Sequence, residues 1–88
     1  MRIIKTAVAG TLESNDALVE ISPANGETTL DITSTVYAQF GADIERSVLS
    51  VLDELGVSCC CIRINDHGAL ECVIRARTET AVRRACEV

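Results

Sequence analysis

The apolar residues between Tyr37 and Leu55 recur at every third or fourth position, and this spacing constrains the fold more than any other feature of the chain. It predicts an amphipathic helix that ends at Gly56, because glycine commonly follows the last turn of a helix. Gly41 separates a preliminary turn from the regular part, which we place at Ala42–Leu55. A helix with one apolar face must cover another element, so the other segments have to supply that surface. The apolar stripe consists of Tyr37, Phe40, Ile44, Val48, Val51, Leu52 and Leu55.

Ahead of this helix the apolar residues alternate with polar or small ones, which is the pattern of β-strands. Asn25-Gly26 is a strong signal for a hairpin turn, and Pro23 ends the strand before it because proline donates no hydrogen bond to a neighbouring strand. We therefore predict a three-stranded antiparallel meander. Its turns lie at Glu13–Asp16 and Ala24–Glu27, and its strands at Thr6–Glu13, Ala17–Ser22 and Thr28–Ser34.

The chain after the helix holds one more strand and an ambiguous last segment. Val57–Asn65 is rich in β-branched residues and cysteine and is bounded by turn residues, which predicts a strand. Leu70–Ala85 fits either a strand or a helix, but two Glu–Arg pairs spaced four residues apart favour the helix. These pairs are Glu71 with Arg75 and Glu79 with Arg83.

The predicted fold class is α+β, with two layers: an antiparallel sheet, in the element order β-β-β-α-β-α, covered on one face by two helices. A chain of 88 residues is short enough to form a single domain, residues 1–88. Its 48% content of hydrophobic residues is typical of a folded protein with a core.

Charge and aromatic content exclude whole classes of partner. Thirteen Asp and Glu against eight Lys and Arg give a net charge of −5, which repels phosphate backbones, and one Tyr, one Phe and no Trp leave little for bases to stack on. No apolar run approaches the roughly 20 residues that a membrane helix requires, and no hydrophobic signal segment follows the N-terminus. We therefore expect no nucleic-acid partner, no membrane association and a soluble protein of the cytoplasm.

Five cysteines are many for this length, but their number is odd and three are consecutive, which does not fit a disulfide framework. No two are spaced as C-x-x-C, and neighbours on a strand point to opposite faces. We predict that they pack as small apolar side chains where Val or Ile would serve. A redox or zinc site that also uses His67, Cys72 and Cys86 is the alternative. The consecutive cysteines are Cys59, Cys60 and Cys61.

The sequence supplies no evident catalytic set. His67, the single histidine, lies in a predicted turn, and the carboxylates are scattered over turns and exposed helix faces, so we expect solvated side chains and no acid–base pair. The glycines are isolated and form no phosphate-binding loop. One basic cluster is interpreted either as surface arginines or as a contact for an anionic group. It comprises Arg75, Arg77, Arg83 and Arg84.

Ser14 lies at the tip of the first predicted hairpin, within the sequence A-G-T-L-E-S-x-D of residues Ala9–Asp16. This segment closely resembles the acyl carrier, or gamma, subunits of citrate lyase, and the resemblance extends over essentially the whole chain. Asn15 stands where that family more often has glycine, and because asparagine also adopts positive φ we expect it to preserve the turn. The other matching segments are Phe40-Gly41, Asp53–Gly56, Asp66–Cys72 and Arg75–Arg77.

The resemblance implies a non-catalytic carrier subunit. Ser14 would hold a 2'-(5''-phosphoribosyl)-3'-dephospho-coenzyme A group through a phosphodiester. The thiol of that arm would hold acetyl and citryl groups as thioesters while citrate is cleaved to acetate and oxaloacetate. The implied partners are the alpha subunit (acetate:citrate-acyl-carrier transferase), the beta subunit (citryl-acyl-carrier lyase), a prosthetic-group transferase and an acetate ligase.

Two alternatives remain open. The delta subunit of malonate decarboxylase is a comparable small carrier with a serine at the corresponding hairpin, although the Glu-Ser-x-Asp sequence favours the citrate system. An unmodified α+β interaction module would explain the fold but not the motif around Ser14. Glu13 and Asp16, which flank Ser14, are interpreted either as recognition features for the modifying enzyme or as solvated turn residues.

Overall fold

The computed structural model describes residues 1–86 as a four-stranded sheet with two helices packed on one of its faces. The predicted α+β class and the order β-β-β-α-β-α are confirmed. The elements are β1 (Ala7–Gly10), β2 (Ala17–Pro23), β3 (Thr29–Ser34), α1 (Tyr37–Leu55), β4 (Cys60–Asp66) and α2 (Glu71–Ala85).

The strand order in the sheet is β1-β2-β4-β3, so that β4 lies between β2 and β3. β2 pairs antiparallel with β1 and with β4, whereas β3 pairs parallel with β4. The predicted meander was therefore wrong at its third strand, and the sheet is mixed rather than antiparallel throughout. The parallel pair is joined through α1, because parallel neighbours need a crossover connection.

Burial explains why β4 takes the central position. Its inward residues Ile62 and Ile64 are only 0% and 2% exposed, whereas Leu30 and Ile32 of β3 are half-buried and suit an edge strand. The Asn-Gly sequence does turn the chain, since Gly26 has a φ of 101°. After that turn β3 does not pair with β2, and β4 lies between the two strands.

The core lies between the sheet and the helices. Ala9, Val19 and Ile64 occupy neighbouring strands in register and point to the same inward face. The next inward layer pairs Ile21 with Ile62. The helical part of the core comes from Ile44, Val48, Val51 and Leu52 of α1 and from Ile74, Ala81, Val82 and Ala85 of α2.

α1 begins at Tyr37, earlier than the predicted start at Ala42, and runs through Gly41 without a break. Gly41 is buried, and a Cβ atom there would lie 2.7 Å from the Tyr37 ring. The absence of a side chain at Gly41 therefore lets the Tyr37 ring pack against the next turn of the helix. The helix ends where predicted, because Gly56 adopts the left-handed conformation with a φ of 65°. Within residues 1–86, neither helix is long and apolar enough to cross a membrane.

The central strand yields a stability prediction. Ile62→Ala leaves a cavity between the sheet and the helices and is expected to lower the free energy of unfolding by about 2–5 kcal/mol. Arg63→Ala, on the exposed face of the same strand, is the matched control and should change it by no more than about 0.5 kcal/mol. Urea unfolding followed by circular dichroism measures both. Equal losses for the two variants would contradict the assignment of β4 to the core.

Candidate functional site

The connection between β1 and β2 places Ser14 in an exposed turn. Asn15 has a φ of 65°, which is the left-handed conformation expected for it from the sequence. The turn is closed by the N–H of Asp16, which donates to the carbonyl oxygen of Glu13 at 3.2 Å. Within residues 1–86, none of the hydrogen bonds that hold this turn involves the Ser14 hydroxyl.

The Asp16 carboxylate fixes the shape of the turn. It accepts hydrogen bonds from the Thr11 hydroxyl and from the N–H of Ala17, both at 2.7 Å. The Thr11 oxygen in turn accepts the N–H of Glu13 at 3.2 Å. The Asp16 side chain is only 14% exposed, so its interpretation as a solvated turn residue was wrong. Glu13, by contrast, is exposed.

Arg77 on α2 is the remaining partner of Asp16, although the two residues lie 61 positions apart in the sequence. The Arg77 Nε and Nη2 atoms donate to the two carboxylate oxygens at 3.0 and 2.9 Å. Such a forked pair adds geometric specificity to its charge. Arg77, followed by the hydrogen bonds from Thr11 and Ala17, holds the pKa of Asp16 well below its ordinary value, and Asp16 raises the pKa of Arg77. The pair ties the turn to the helix.

Gly10 provides the space in which this pair forms. It has a φ of 99°, and a Cβ atom at this position would overlap the carbonyl oxygen of Ala17. The same Cβ would lie 3.2 Å from the Cδ atom of Arg77. A side chain here would therefore disturb both the hairpin and the arginine that crosses it.

The loop after β4 holds the turn from the other side. The N–H of Asn15 donates to the carbonyl oxygen of His67 at 2.8 Å, and the N–H of His67 donates to the carbonyl oxygen of Asp16 at 2.9 Å. His67 is half-buried rather than the solvated turn residue that the sequence suggested. Its backbone, which pairs with the turn, is what contributes to the site.

Asp66 shapes that loop from within. It is 1% exposed, and its carboxylate accepts hydrogen bonds from the Ser34 hydroxyl at 2.7 Å and from the N–H groups of Gly68 and Ala69 at 3.2 and 2.9 Å. A buried carboxylate needs such partners, because an unpaired one would lose its hydration without replacement. The ends of β3 and β4 and the start of the loop are thereby joined at one residue.

The arginines of the basic cluster are engaged separately. The predicted ion pair of Glu79 with Arg83 is confirmed at 3.0 Å, but the predicted pair of Glu71 with Arg75 is wrong. Arg75 binds Glu54 of α1 at 2.9 Å instead, which links the two helices. The remaining contacts are those of Arg77 with Asp16 and of Arg84 with the Val8 carbonyl oxygen, at 2.9 Å in each case.

The cysteines differ from one another in burial. Cys60 and Cys86 are buried, as core residues would be, and burial raises the pKa of the Cys60 thiol. Cys61 is half-buried, and Cys59 and Cys72 are exposed, so the prediction of a core position was wrong for the last two. Among the side chains of residues 1–86, no three of His, Cys, Asp or Glu come together in a group that would hold a metal ion.

A groove of about 580 Å³ lies beside the turn, between the N-terminal halves of the two helices. Gly68 lines it and also borders the turn, since a Cβ atom on Gly68 would lie 3.7 Å from the Asn15 side-chain oxygen. Phe40 and Leu70, which are 49% and 70% exposed, add apolar surface to the groove. No sequence pattern predicted this groove, because its walls come from separate helices.

The arrangement determines what chemistry Ser14 can do. A serine that attacks a substrate unaided needs a neighbouring base. Of the two acidic neighbours in the sequence, Glu13 is exposed and, within residues 1–86, makes no hydrogen bond to the Ser14 hydroxyl, and the Asp16 carboxylate is already occupied by Thr11, Ala17 and Arg77. Ser14 is therefore suited to accept a group from another enzyme, on a turn whose backbone is held on both sides.

Comparisons with known proteins identify relatives over nearly the whole chain. The family model described as the malonate decarboxylase delta subunit matches residues 4–85. The citrate lyase acyl carrier protein of Pectobacterium atrosepticum is 49% identical over 87 residues, which cover 99% of this chain and 91% of that protein. The citrate lyase acyl carrier protein of Treponema denticola is 51% identical over 87 residues, with 99% of both chains covered.

A solved structure shares the fold. It is the crystal structure of a Pseudomonas malonate decarboxylase hetero-tetramer in complex with malonate, one chain of which superposes with a TM-score of 0.82. The match covers 93% of this chain and 84% of that chain, at 22% sequence identity. At that identity the similarity establishes the fold alone.

The close approach at Gly10 can be tested with two glycine substitutions. Gly10 and Gly26 both have positive φ values, of 99° and 101°, but nothing lies within 4 Å of a Cβ atom placed on Gly26. Gly10→Ala is therefore expected to destabilise the protein by about 1–3 kcal/mol more than Gly26→Ala, because only the former adds overpacking to backbone strain. Thermal or urea unfolding measures the difference, and equal losses would refute the close approach.

The ion pair of Asp16 predicts a pH dependence of stability. Folding lowers the pKa of Asp16 from its ordinary value of 3.8. The contribution of the ionised Asp16 carboxylate to the free energy of unfolding is therefore present above pH 3.8 and is lost as the pH falls toward the folded-state pKa. The urea midpoint of the unchanged protein should thus fall more steeply between about pH 5 and pH 2 than that of Asp16→Asn. Parallel curves for the two proteins would contradict the ion pair.

Proposed function

Because the chain belongs to the family of citrate lyase acyl carrier proteins, we propose that Ser14 is the attachment site of a 2'-(5''-phosphoribosyl)-3'-dephospho-coenzyme A arm. The observation that carries this proposal is the exposed hydroxyl of Ser14 on a turn whose backbone is held by two other segments. In the attachment step the Ser14 oxygen bonds to the phosphorus of a donor activated as a polyphosphate. The bond from that phosphorus to diphosphate breaks, and the hydroxyl proton passes to the modifying enzyme or to water.

The surroundings of Ser14 fit a large anionic group. The hydroxyl lies at an exposed position, so the arm extends into solvent without displacing core residues. The negative charge of Asp16 is paired with Arg77, which leaves Glu13 as the acidic neighbour in the turn, and Glu13 is exposed and screened by water. A phosphodiester on Ser14 would therefore keep its negative charge in contact with water.

A fixed mount suits a carrier whose arm must reach more than one active site. When bound, the arm supplies the thiol that holds acetyl and citryl groups as thioesters during the cleavage of citrate to acetate and oxaloacetate. We assign the two chemical steps to the alpha and beta subunits of citrate lyase, so this chain is a carrier and not a catalyst. Tethering raises the concentration of the thioester at both active sites without any new contact.

The other proposed partners act on the arm. A prosthetic-group transferase attaches it to Ser14, and an acetate ligase acetylates its thiol. Both belong in the cytoplasm, where a working thiol stays reduced.

The carrier of malonate decarboxylase is the second candidate. It is favoured by the description of the matching family model and by the fold shared with the Pseudomonas complex. The citrate system ranks first because the relatives at 49–51% identity are citrate lyase carriers. An unmodified interaction module would not account for the exposed serine on a turn that is held by two other segments.

Ser14→Ala tests the attachment site. Co-expressed with the modifying enzymes, the unchanged protein should gain the mass of the arm on the peptide that contains Ser14, and the variant should gain nothing. Citrate cleavage by the complex reconstituted with the variant should be lost. The free energy of unfolding should change by no more than about 0.5 kcal/mol, because the side chain is exposed and outside the core.

Ser58→Ala is the matched control, since Ser58 is also exposed and lies in the loop before β4, outside the turn. It should carry the arm and support citrate cleavage as the unchanged protein does. An arm still attached to the Ser14→Ala variant, or citrate cleavage that persists without any arm, would rule out the proposed site. Malonate decarboxylation in place of citrate cleavage would select the second candidate.

A further inference from the structure

We propose that Asp16 and Arg77 form a positioning pair that presents Ser14 to the prosthetic-group transferase, an inference that rests on the function proposed above. The pair does not touch the transferred group. It acts through the backbone of the turn, so that the transferase binds a folded surface built from distant segments and not a linear sequence around the serine.

Asp16 occupies a position in the turn from which it can control Ser14. Its carboxylate is joined to Thr11 on the β1 side, to Ala17 at the start of β2 and to Arg77 on α2. The residue two positions earlier is Ser14. One side chain therefore connects both ends of the turn to the helix layer, and a shift of this carboxylate displaces the segment that carries the hydroxyl.

Arg77, the other end of the pair, is held rigidly in α2. Arg77 lies next to Thr78, which is 0% exposed and whose hydroxyl donates to the carbonyl oxygen of Ile74 at 2.8 Å. Ile74 itself is 3% exposed and packs in the core. The backbone of Arg77 is thus held by buried neighbours, and α2 serves as a fixed base for the turn.

Arg77 also balances the negative charge of Asp16 near Ser14. If it were unpaired, the Asp16 carboxylate would repel an incoming phosphate donor more than the exposed Glu13 does, because its side chain is only 14% exposed and water screens its charge less. Arg77 offsets the charge of Asp16 through two hydrogen bonds, at 3.0 and 2.9 Å. Geometry and charge at Ser14 hence depend on the same side chain.

The test compares three substitutions on α2. Arg77→Gln removes the charge and the forked pair, and Arg77→Lys keeps the charge but loses the fork. Arg83→Gln is the matched control, because Arg83 also forms an ion pair on α2, with Glu79 at 3.0 Å, away from the turn. Each full-length variant is first shown to be folded by circular dichroism. Transfer by the purified transferase is then followed by intact mass, and amide hydrogen exchange is measured on the proteins without the arm.

The positioning role predicts a graded loss. Arg77→Gln should lower kcat/KM for transfer roughly tenfold or more, since misplacing a reacting group by a fraction of its contact distance is costly. Arg77→Lys should recover part of that loss, and Arg83→Gln should match the unchanged protein. The N–H of Asn15, which donates to the carbonyl oxygen of His67 at 2.8 Å, should exchange fastest in Arg77→Gln, at an intermediate rate in Arg77→Lys and at the unchanged rate in Arg83→Gln.

Several results would overturn the inference. One is transfer to Arg77→Gln at the rate of the unchanged protein, and another is an equal loss in Arg83→Gln, which would indicate a general effect of positive charge. Unchanged exchange at Asn15 in Arg77→Gln would also exclude positioning, whatever the transfer rate. Failure of the function proposed above is distinguishable from these, because the unchanged protein itself would then carry no arm on Ser14.

Discussion

The insertion of β4 between β2 and β3 is the constraint on which the site depends. Its antiparallel register with β2 aligns Asp66 with Ala17, and its parallel register with β3 aligns Asp66 with Ser34. The loop that follows β4 therefore starts at the end of the sheet where the Ser14 turn begins. Two backbone hydrogen bonds at His67 then join loop and turn. Had β3 taken this place beside β2, the register that aligns Asp66 with Ala17 would not form.

The helix layer also holds the Ser14 turn in place. α2 lies against β1 and β2, and Arg77 extends from it to the Asp16 carboxylate. A single exposed ion pair contributes little to stability, but this one is forked, is partly shielded and combines with two further hydrogen bonds on the same carboxylate. In the proposed carrier role, the value of this pair is positional. The proposed arm is long and flexible and needs a fixed attachment point, and Gly10 leaves the space in which the ion pair forms.

Local sequence patterns predicted the elements and the turn but not the pairing of distant segments. The helical stripe, the glycine at the end of α1, the exposed serine and the positive φ of Asn15 all follow from residues within a few positions of one another. The third strand was assigned to the wrong neighbour because Asn25-Gly26 signals a turn without specifying which strand pairs beyond it. Arg75 was assigned to Glu71 for a similar reason, since periodic spacing cannot show that Glu54 on another helix lies closer.

The sequence by itself determined the α+β composition of the chain, the position of Ser14 in an exposed turn and the resemblance on which the proposed role of that serine rests. Each of these depends on local spacing, turn chemistry or a contiguous motif. Only the tertiary structure decided that β4 is central, that the loop at His67 supports the turn and that Arg77 belongs to the site. The physical reason is that a forked ion pair between residues 61 positions apart is created by packing a helix on a sheet, and no periodicity in the chain encodes that distance.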